Sequence, residues 1–177
     1  MRTIDRATSA LLVVDFQSRL MPAIEDGTAV VANARRLLAA AGLLDVPMMF
    51  TEQNAGGLGA TVPGLDPAAH GPVLPKMTFD ACRDGGLAKL PDRPDFVVAG
   101  CEAHVCVLQT VLGLLDAGRR VYVVQDALGA RRAESKSVAL QRMERHGAEI
   151  VTTEMVIFEW LATAEHPRFR AALALLK

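Results

Sequence analysis

Residues 96–106 read FVVAGCEAHVC, and this stretch decides how the rest of the chain is interpreted. Its first five residues form a short apolar run, typical of a strand that is buried on both faces. Residues 104–117 have the spacing of an amphipathic helix, and Gly118 stands where a left-handed helix cap requires glycine. A buried strand that leads directly into a helix predicts one unit of a parallel sheet.

The same alternation extends in both directions along the chain. Four further apolar runs predict strands, at residues 10–15, 47–51, 120–125 and 149–153. Helices are predicted over residues 28–41, 133–146, 156–164 and 167–176, the first two ended by Gly42 and Gly147. This alternation predicts an α/β fold with a mostly parallel, Rossmann-like central sheet and right-handed crossovers. No linker or second domain is evident, so we expect residues 1–177 to form a single domain.

The composition disfavours several classes of partner. Of the 177 residues, 51% are hydrophobic and 22% charged, which suffices for a well-formed core. Nineteen Lys and Arg against twenty Asp and Glu give a net charge of −1, so no basic excess exists for nucleic acid or anionic lipid. No apolar run approaches the roughly 20 residues that span a bilayer, and no signal peptide is evident. We therefore expect a soluble protein that acts on a small molecule, without nucleic-acid or membrane partners.

The chain has three cysteines, Cys82, Cys101 and Cys106. An odd number, in a domain large enough to fold on its core alone, indicates free thiols and a reducing compartment. We therefore expect a cytoplasmic protein. Free cysteines are most often buried packing residues, so a chemical role needs further support.

Residues 53–89 interrupt the alternation of strands and helices with many glycines and prolines. A loop of this length in a compact domain is usually functional or disordered. The glycines at residues 56–59 are not followed by the Lys-Ser/Thr of a phosphate-binding loop. Residues 15–17, after the first strand, also lack the glycine fingerprint of dinucleotide binding.

Ligands of an open α/β sheet bind beyond the carboxyl ends of its strands. Cys106 lies just beyond such an end, at the start of a predicted helix. The helix dipole there predicts a thiol that ionises more readily than a free cysteine, and the unpaired N–H groups could hold an oxyanion. The alternative is a thiol that only packs on the helix face. A zinc site at Cys101, His104 and Cys106 is disfavoured, because the spacing is unusual and no second pair of ligands follows.

Asp15 and Lys76 are two further candidates for chemistry. Asp15 directly follows four apolar residues, so it lies at the top of a central strand, where an unpaired charge is costly. It could equally be a helix cap or half of a buried ion pair. A lone lysine such as Lys76 is usually a solvated surface charge. Together with Cys106, however, the two could form a base, a cation and a nucleophile.

Four segments carry a resemblance to a known family: residues 12–17 (LVVDFQ), 51–53 (TEQ), Lys76 in its Lys-x-x-Phe setting, and 100–107 (GCEAHVCV). From about residue 8 to about residue 155, the chain resembles the isochorismatase-like cysteine hydrolase superfamily. It is more similar to isochorismatase-domain proteins of unassigned substrate than to nicotinamidases. The resemblance implies a three-layer α/β/α fold and an Asp15-Lys76-Cys106 catalytic triad. It also implies a cis peptide at Cys101–Glu102 and an oxyanion hole made by the N–H groups of Glu102 and Cys106.

The chain also departs from patterns within that family. Nicotinamidases carry an Asp-x-His and a later His as metal ligands, whereas this chain has TEQN at residues 51–54 and only His70 nearby. One histidine cannot assemble such a site, so we expect no metal and no cofactor, and nicotinamide is a poor candidate substrate. Isochorismatases proper use no cysteine nucleophile, so Cys106 argues against isochorismate. Asp80 replaces a serine that is common in relatives, near Lys76.

These observations predict a hydrolase that cleaves a carbon–nitrogen bond of a small amide through a thioester acyl-enzyme. Phe16, Gln17 and Gln53 are the candidate substrate-binding residues, because they follow the first two strands. One alternative is a family hydrolase that acts on an ester or a vinyl ether. Another is a catalytically silent protein with a role in assembly. We predict a homo-oligomer, because residues 171–176 form an apolar tail and relatives commonly self-associate.

Overall fold

The computed structural model describes residues 3–177, and its centre is one parallel sheet. The strands of this sheet are β1 (Ser9–Val14), β2 (Met48–Gln53), β3 (Val73–Lys76), β4 (Asp95–Cys101), β5 (Arg120–Gly129) and β6 (Glu149–Val151). Their order across the sheet is β3-β2-β1-β4-β5-β6. All five neighbouring pairs are parallel, which confirms the predicted α/β class.

Helices connect the strands. They are α1 (Gly27–Leu43), α2 (Ala55–Leu58), α3 (Pro67–His70), α4 (Leu108–Asp116), α5 (Ala133–Arg145), α6 (Thr153–Leu161) and α7 (Phe169–Ala174). Short 3-10 turns lie at Met21–Ala23, Pro63–Leu65 and Leu87–Lys89. A π-helical turn, Ala103–Val107, leads from β4 into α4. Within residues 3–177, no helix has both the length and the apolar character needed to cross a membrane.

The sheet lies between two layers of helices, as alternate side chains of β1 illustrate. Leu11 and Val13 belong to a buried cluster that includes residues of α1 and α6. Leu12 and Val14 belong to a second cluster, with residues of α4 and α5. Because a strand points successive side chains to opposite faces, both faces of β1 are apolar and both are covered. The fold is therefore a three-layer α/β/α sandwich, as the resemblance implied.

The predicted strands are all present, but one strand was missed. β3 lies inside the Gly- and Pro-rich region and contains Pro75. Proline is tolerated at a sheet edge, and β3 pairs only with β2. The segment is short and half-exposed, so it lacks the apolar run that identified the other strands.

Two of the three predicted glycine helix ends are correct. Gly118 and Gly147 follow α4 and α5 with positive φ angles of 73° and 101°. The prediction for Gly42 was wrong, since α1 continues to Leu43 and Asp45 adopts the left-handed conformation instead, at φ 59°. Aspartate tolerates that conformation better than most residues, so no glycine is needed there.

The strand order determines where a ligand can bind. The chain builds the sheet outward from β1 in one direction, to β2 and β3, and from β4 in the other, so the order reverses between β1 and β4. A crevice for ligands forms beyond the carboxyl ends of two such strands. These strands run very close together, since a Cβ added at Gly100 would lie only 2.5 Å from the carbonyl oxygen of Val14.

Candidate active site

Asp15 is the first residue after β1 and is held at the floor of this crevice. Its backbone adopts the left-handed conformation, with φ 52°. Its N–H donates to the Thr51 carbonyl at 3.1 Å, and its Oδ1 accepts a 2.6 Å hydrogen bond from Thr51 Oγ1. The carboxylate is therefore fixed in position by β2 and aimed along the top of the sheet.

Lys76 reaches the same point from the end of β3. Its Nζ lies 2.6 Å from Asp15 Oδ2, and the two side chains are only 5% and 1% exposed. The ammonium also donates to the Phe79 carbonyl at 3.3 Å. Lys76 is thus half of a buried ion pair, not the solvated surface charge that a lone lysine usually is.

Cys106 completes the cluster from the other side of β1. It lies in the π-helical turn after β4, its residue is 7% exposed, and its thiol interacts with both Asp15 and Lys76. π-helical turns within helices occur frequently at functional sites. The structure therefore brings together the three side chains that the sequence proposed as a triad.

The thiol of Cys106 is not acidic, which corrects the expectation from its position near a helix start. Burial raises its pKa to about 12, and the nearby Asp15 carboxylate contributes in the same direction. The Lys76 ammonium lowers the pKa, but not enough to offset these effects. The resting thiol is therefore protonated, and any role as a nucleophile requires a base beside it.

Glu102 precedes the π-helical turn and is linked to Cys101 by a cis peptide bond, as the resemblance implied. Its carbonyl accepts hydrogen bonds from the N–H groups of Val105 and Val107, at 3.0 and 3.2 Å. Its carboxylate is held by Arg131, with Nε 2.7 Å from Oε1. Backbone and side chain thus both anchor the turn that carries Cys106.

Of the three residues predicted to bind substrate, Phe16 and Gln17 are buried within the fold, and only Gln53 is partly exposed. Phe16 is 1% exposed and packs in the apolar cluster on the α1 side. Gln17 is fully buried, and its amide donates to the Gly59 carbonyl at 2.6 Å and accepts from the Gln53 N–H at 2.9 Å. Gln53 is only partly buried, and its side chain donates to the Met77 carbonyl at 3.3 Å.

The long Gly- and Pro-rich region is an ordered part of the structure. Gln17 and Thr61 form an isolated antiparallel bridge, and Glu52 Oε1 accepts hydrogen bonds from the Thr61 N–H and hydroxyl at 2.7 and 2.8 Å. This region delivers Lys76 to the site. The functional interpretation of the region is favoured over the disordered one.

Asp80, which lies near Lys76 in the chain, binds two residues that follow it. It accepts a 2.8 Å hydrogen bond from the Cys82 N–H, and its Oδ2 lies 3.6 Å from Arg83 Nε. Burial and the Asp80 carboxylate raise the pKa of Cys82 to about 12. Cys101 is fully buried, with Sγ 3.7 Å from Met21 Sδ, and burial likewise raises its pKa to about 12.

Sequence reasoning missed two residues of the site. Thr51, which binds Asp15, was noted only as the end of a strand. Arg131, which binds Glu102, follows the carboxyl end of β5, so the rule that directs attention to strand ends could have identified it. Within residues 3–177, no three His, Cys, Asp or Glu side chains are grouped so that they could hold a metal ion.

Comparison with known proteins places this chain in a family. The isochorismatase domain profile matches residues 9–155. The chain is 37% identical over 172 residues to the human isochorismatase domain-containing protein 2, covering 96% of this chain and 83% of that protein. It is 35% identical over 174 residues to the zebrafish (Danio rerio) isochorismatase domain-containing protein 1, covering 97% of this chain but only 62% of that protein's length.

Solved structures agree with this assignment. A Caenorhabditis elegans protein described as MAR1 ribonuclease superposes with a TM-score of 0.93 at 35% identity, over 98% of this chain and 92% of its own. The Escherichia coli YcaC protein, described as an octameric hydrolase of unknown specificity, has a TM-score of 0.91 at 25% identity, over 99% and 89% of the two chains. The chain belongs to the isochorismatase family of hydrolases.

Proposed function

We propose that this protein is a cysteine hydrolase that cleaves a carbon–nitrogen bond of a small amide, with Cys106 as nucleophile. One observation supports the proposal above all others. The Cys106 thiol interacts with both members of the buried Asp15–Lys76 ion pair, which supplies the carboxylate base and the cation that a protonated thiol needs. We further propose that residues 1–177 form a single catalytic domain.

In the first half of the reaction, Asp15 accepts the Cys106 proton as Sγ attacks the amide carbonyl carbon. Lys76 stabilises the negative charge on the thiolate as it forms. The oxyanion of the tetrahedral intermediate faces the N–H groups of Glu102 and Cys106. The carbon–nitrogen bond then breaks, the proton passes from Asp15 to the departing amine, and a thioester remains on Cys106.

In the second half, a water molecule enters where the amine has left. Asp15 removes a proton from this water as it attacks the thioester carbonyl carbon. The carbon–sulfur bond breaks, the thiolate recovers its proton, and the carboxylic acid product leaves. Thr51 acts as a positioning residue, because its hydroxyl fixes Asp15 Oδ1 and leaves Oδ2 to Lys76. No metal or cofactor enters these steps.

Burial of the site supports a small substrate. The side chains of Asp15 and Lys76 are 1% and 5% exposed, so only a compact group can reach them. The C. elegans relative is described as a ribonuclease. For this chain, a net charge of −1 and an enclosed triad favour a small amide over a polynucleotide.

We also propose that the protein acts as a cytoplasmic homo-oligomer. The octameric state described for YcaC supports self-association. The C-terminal tail supports it less than its composition suggested, because Ala172 is buried and Leu175 and Leu176 pack against the core of the same chain. Leu173 of α7 and Phe158 of α6 remain exposed, at 37% and 39%.

The proposed function is tested with a panel of small amides, ureides and carbamates, monitored by amine release and by acid formation. Hydroxylamine, added during turnover, should intercept the thioester as a hydroxamate. Cys106→Ala should abolish turnover, while the control Cys82→Ala should retain it.

Turnover that survives Cys106→Ala would contradict the covalent mechanism. An ester or vinyl ether cleaved in preference to every amide would favour the alternative leaving groups. Absence of turnover on every class would favour the non-catalytic role.

A further inference from the structure

The backbone N–H of Glu102 is available to bind an acceptor. Glu102 lies between β4 and the π-helical turn, outside both elements. Among residues 3–177, its N–H donates to no backbone or side-chain acceptor, whereas its carbonyl accepts from the two N–H groups described above. Most backbone N–H groups in folded proteins are paired, so an unpaired one at the start of the turn that carries Cys106 supports its proposed role as an oxyanion donor.

The side chain of Glu102 is held by Arg131. The Nε of Arg131 lies 2.7 Å from Oε1, and within the described part of the chain no other group forms a hydrogen bond with this carboxylate. His104 Nε2, at 3.9 Å, is too distant for one. The side chain of Glu102 is 13% exposed and that of Arg131 is 58% exposed, so Arg131 holds the carboxylate from the solvent side. A carboxylate that lost this partner would have to turn outward to reach water.

Arg131 is connected to the catalytic turn through this contact. It follows the carboxyl end of β5, and the cavity that it lines with His104, Arg132 and Ser135 includes no member of the proposed triad. Arg131 is therefore placed to act on the position of Glu102 and not on the reacting atoms.

We propose that Arg131 is a positioning residue, which holds Glu102 so that its unpaired N–H faces the oxyanion. This proposal rests on the proposed function, because it gives Arg131 a part in the same reaction. The peptide that carries the N–H is fixed by β4 on one side, where Cys101 pairs with Gly129, and by the Glu102 side chain on the other. Donors stabilise an oxyanion best when they are already directed at it. Loss of Arg131 should therefore slow the step that forms the oxyanion and leave the reactivity of the thiol unchanged.

Two reagents that react at Cys106 separate these effects, and neither requires the substrate to be known. With p-nitrophenyl acetate, Asp15 accepts the thiol proton as Sγ attacks the carbonyl carbon, an oxyanion forms, and p-nitrophenolate leaves an acetyl thioester on Cys106. With iodoacetamide, Sγ attacks the methylene carbon and iodide leaves, so no charge develops on oxygen. Acetylation is measured by nitrophenolate release, with the release from Cys106→Ala subtracted, and alkylation by peptide mass spectrometry.

Three variants test the role of Arg131. Arg131→Gln should lower the acetylation rate about tenfold, because a donor is displaced and not lost, and should change the alkylation rate by less than about twofold. Arg131→Lys keeps a charged donor for the single carboxylate oxygen and should recover most of the acetylation rate. Arg132→Gln is the matched control, since the adjacent Arg132 is exposed and forms no ion pair with Glu102, and both rates should stay at the wild-type value.

The outcomes separate this inference from the proposed function. Equal acetylation rates in wild type and Arg131→Gln, or a parallel fall in acetylation and alkylation, would overturn the positioning role and leave Cys106 as the nucleophile. A similar selective fall in Arg132→Gln would indicate a general effect of positive charge and would overturn the role as well. If neither reagent modifies Cys106 in the wild type, the proposed function itself fails, and the role of Arg131 fails with it.

Discussion

The Nζ of Lys76 lies 2.6 Å from Oδ2 of Asp15, although 61 residues separate them in the chain. Both side chains are almost fully buried. Each charge therefore depends on the other, since water cannot replace a lost partner. This pair links the central strand β1 to the edge strand β3, and it is the part of the site whose energetics can be tested separately from catalysis.

Breaking this ion pair from one side should destabilise the fold. Asp15→Asn leaves the Lys76 charge buried, and Lys76→Met leaves the Asp15 charge buried, so each should lower the free energy of unfolding by about 3 kcal/mol. The double variant should lose much less than the sum, because it leaves no unpaired charge. Urea unfolding of wild type, the two single variants and the double variant gives the coupling energy between Asp15 and Lys76. If the stability losses of the two single variants simply add in the double variant, the strong pairing is contradicted.

The close approach of β1 and β4 should make Gly100 intolerant of a side chain. A Cβ there would lie 2.5 Å from the Val14 carbonyl oxygen and 2.6 Å from Val14 Cβ, both inside the sheet. Gly100→Ala should therefore cost about 2 kcal/mol or more of stability, and should displace the strand that leads to Cys106.

Gly56→Ala is the matched control, because an added Cβ would meet no atom within 4 Å. Its stability should change by less than about 1 kcal/mol. Thermal or urea unfolding checks both variants, and equal stability of the two would contradict the close packing between the strands.

The fold was largely predictable because its central strands are buried on both faces. Val13 and Val14 stand in an apolar run that only a buried strand explains, and Gly118 and Gly147 marked true helix ends. β3 escaped prediction because an edge strand needs few apolar residues and tolerates Pro75. Periodicity carries no information about such a strand, whose pairing with β2 depends on tertiary structure.

The sequence identified the three residues that meet at the site, but it did not predict the pKa of the Cys106 thiol. Asp15 and Cys106 lie at or just beyond the ends of predicted strands, so the sheet rule placed them together. Lys76 was only a weak candidate from the sequence, and its place beside them was implied by the family resemblance. The raised pKa of Cys106 could not be derived from the sequence, because it depends on burial and on the carboxylate beside the thiol. Phe16 and Gln17 show the same limit, since adjacency to Asp15 in the chain does not decide which way a side chain points.

Stability should fall at alkaline pH because of the buried thiols. The pKa of Cys101 is raised from 9.0 to about 12, so the native state keeps this proton over a range in which the unfolded chain loses it. The stability that the protonated Cys101 thiol contributes is fully present below about pH 9.0, and it decreases as the pH rises toward 12. The slope is at most about 1.4 kcal/mol per pH unit for one thiol.

Urea unfolding between pH 8 and pH 11, on wild type and Cys101→Ala, measures this slope. The variant should be less stable at pH 8, because a buried side chain is shortened, but its decline with pH should be shallower. Parallel declines would show that Cys101 ionises alike in the native and unfolded states.

The central claim is that Cys106 is a nucleophile activated by Asp15 and Lys76, and site-resolved alkylation tests it most directly. All three thiols have a pKa raised to about 12, so acidity alone favours none of them. Exposure favours Cys82, which is the most accessible of the three. Iodoacetamide at neutral pH, followed by peptide mass spectrometry, should nevertheless modify Cys106 at least about tenfold faster than Cys82 or Cys101, and Asp15→Asn should remove this advantage. Labelling of Cys106 no faster than Cys82 in the folded protein, or labelling unchanged by Asp15→Asn, would contradict the account.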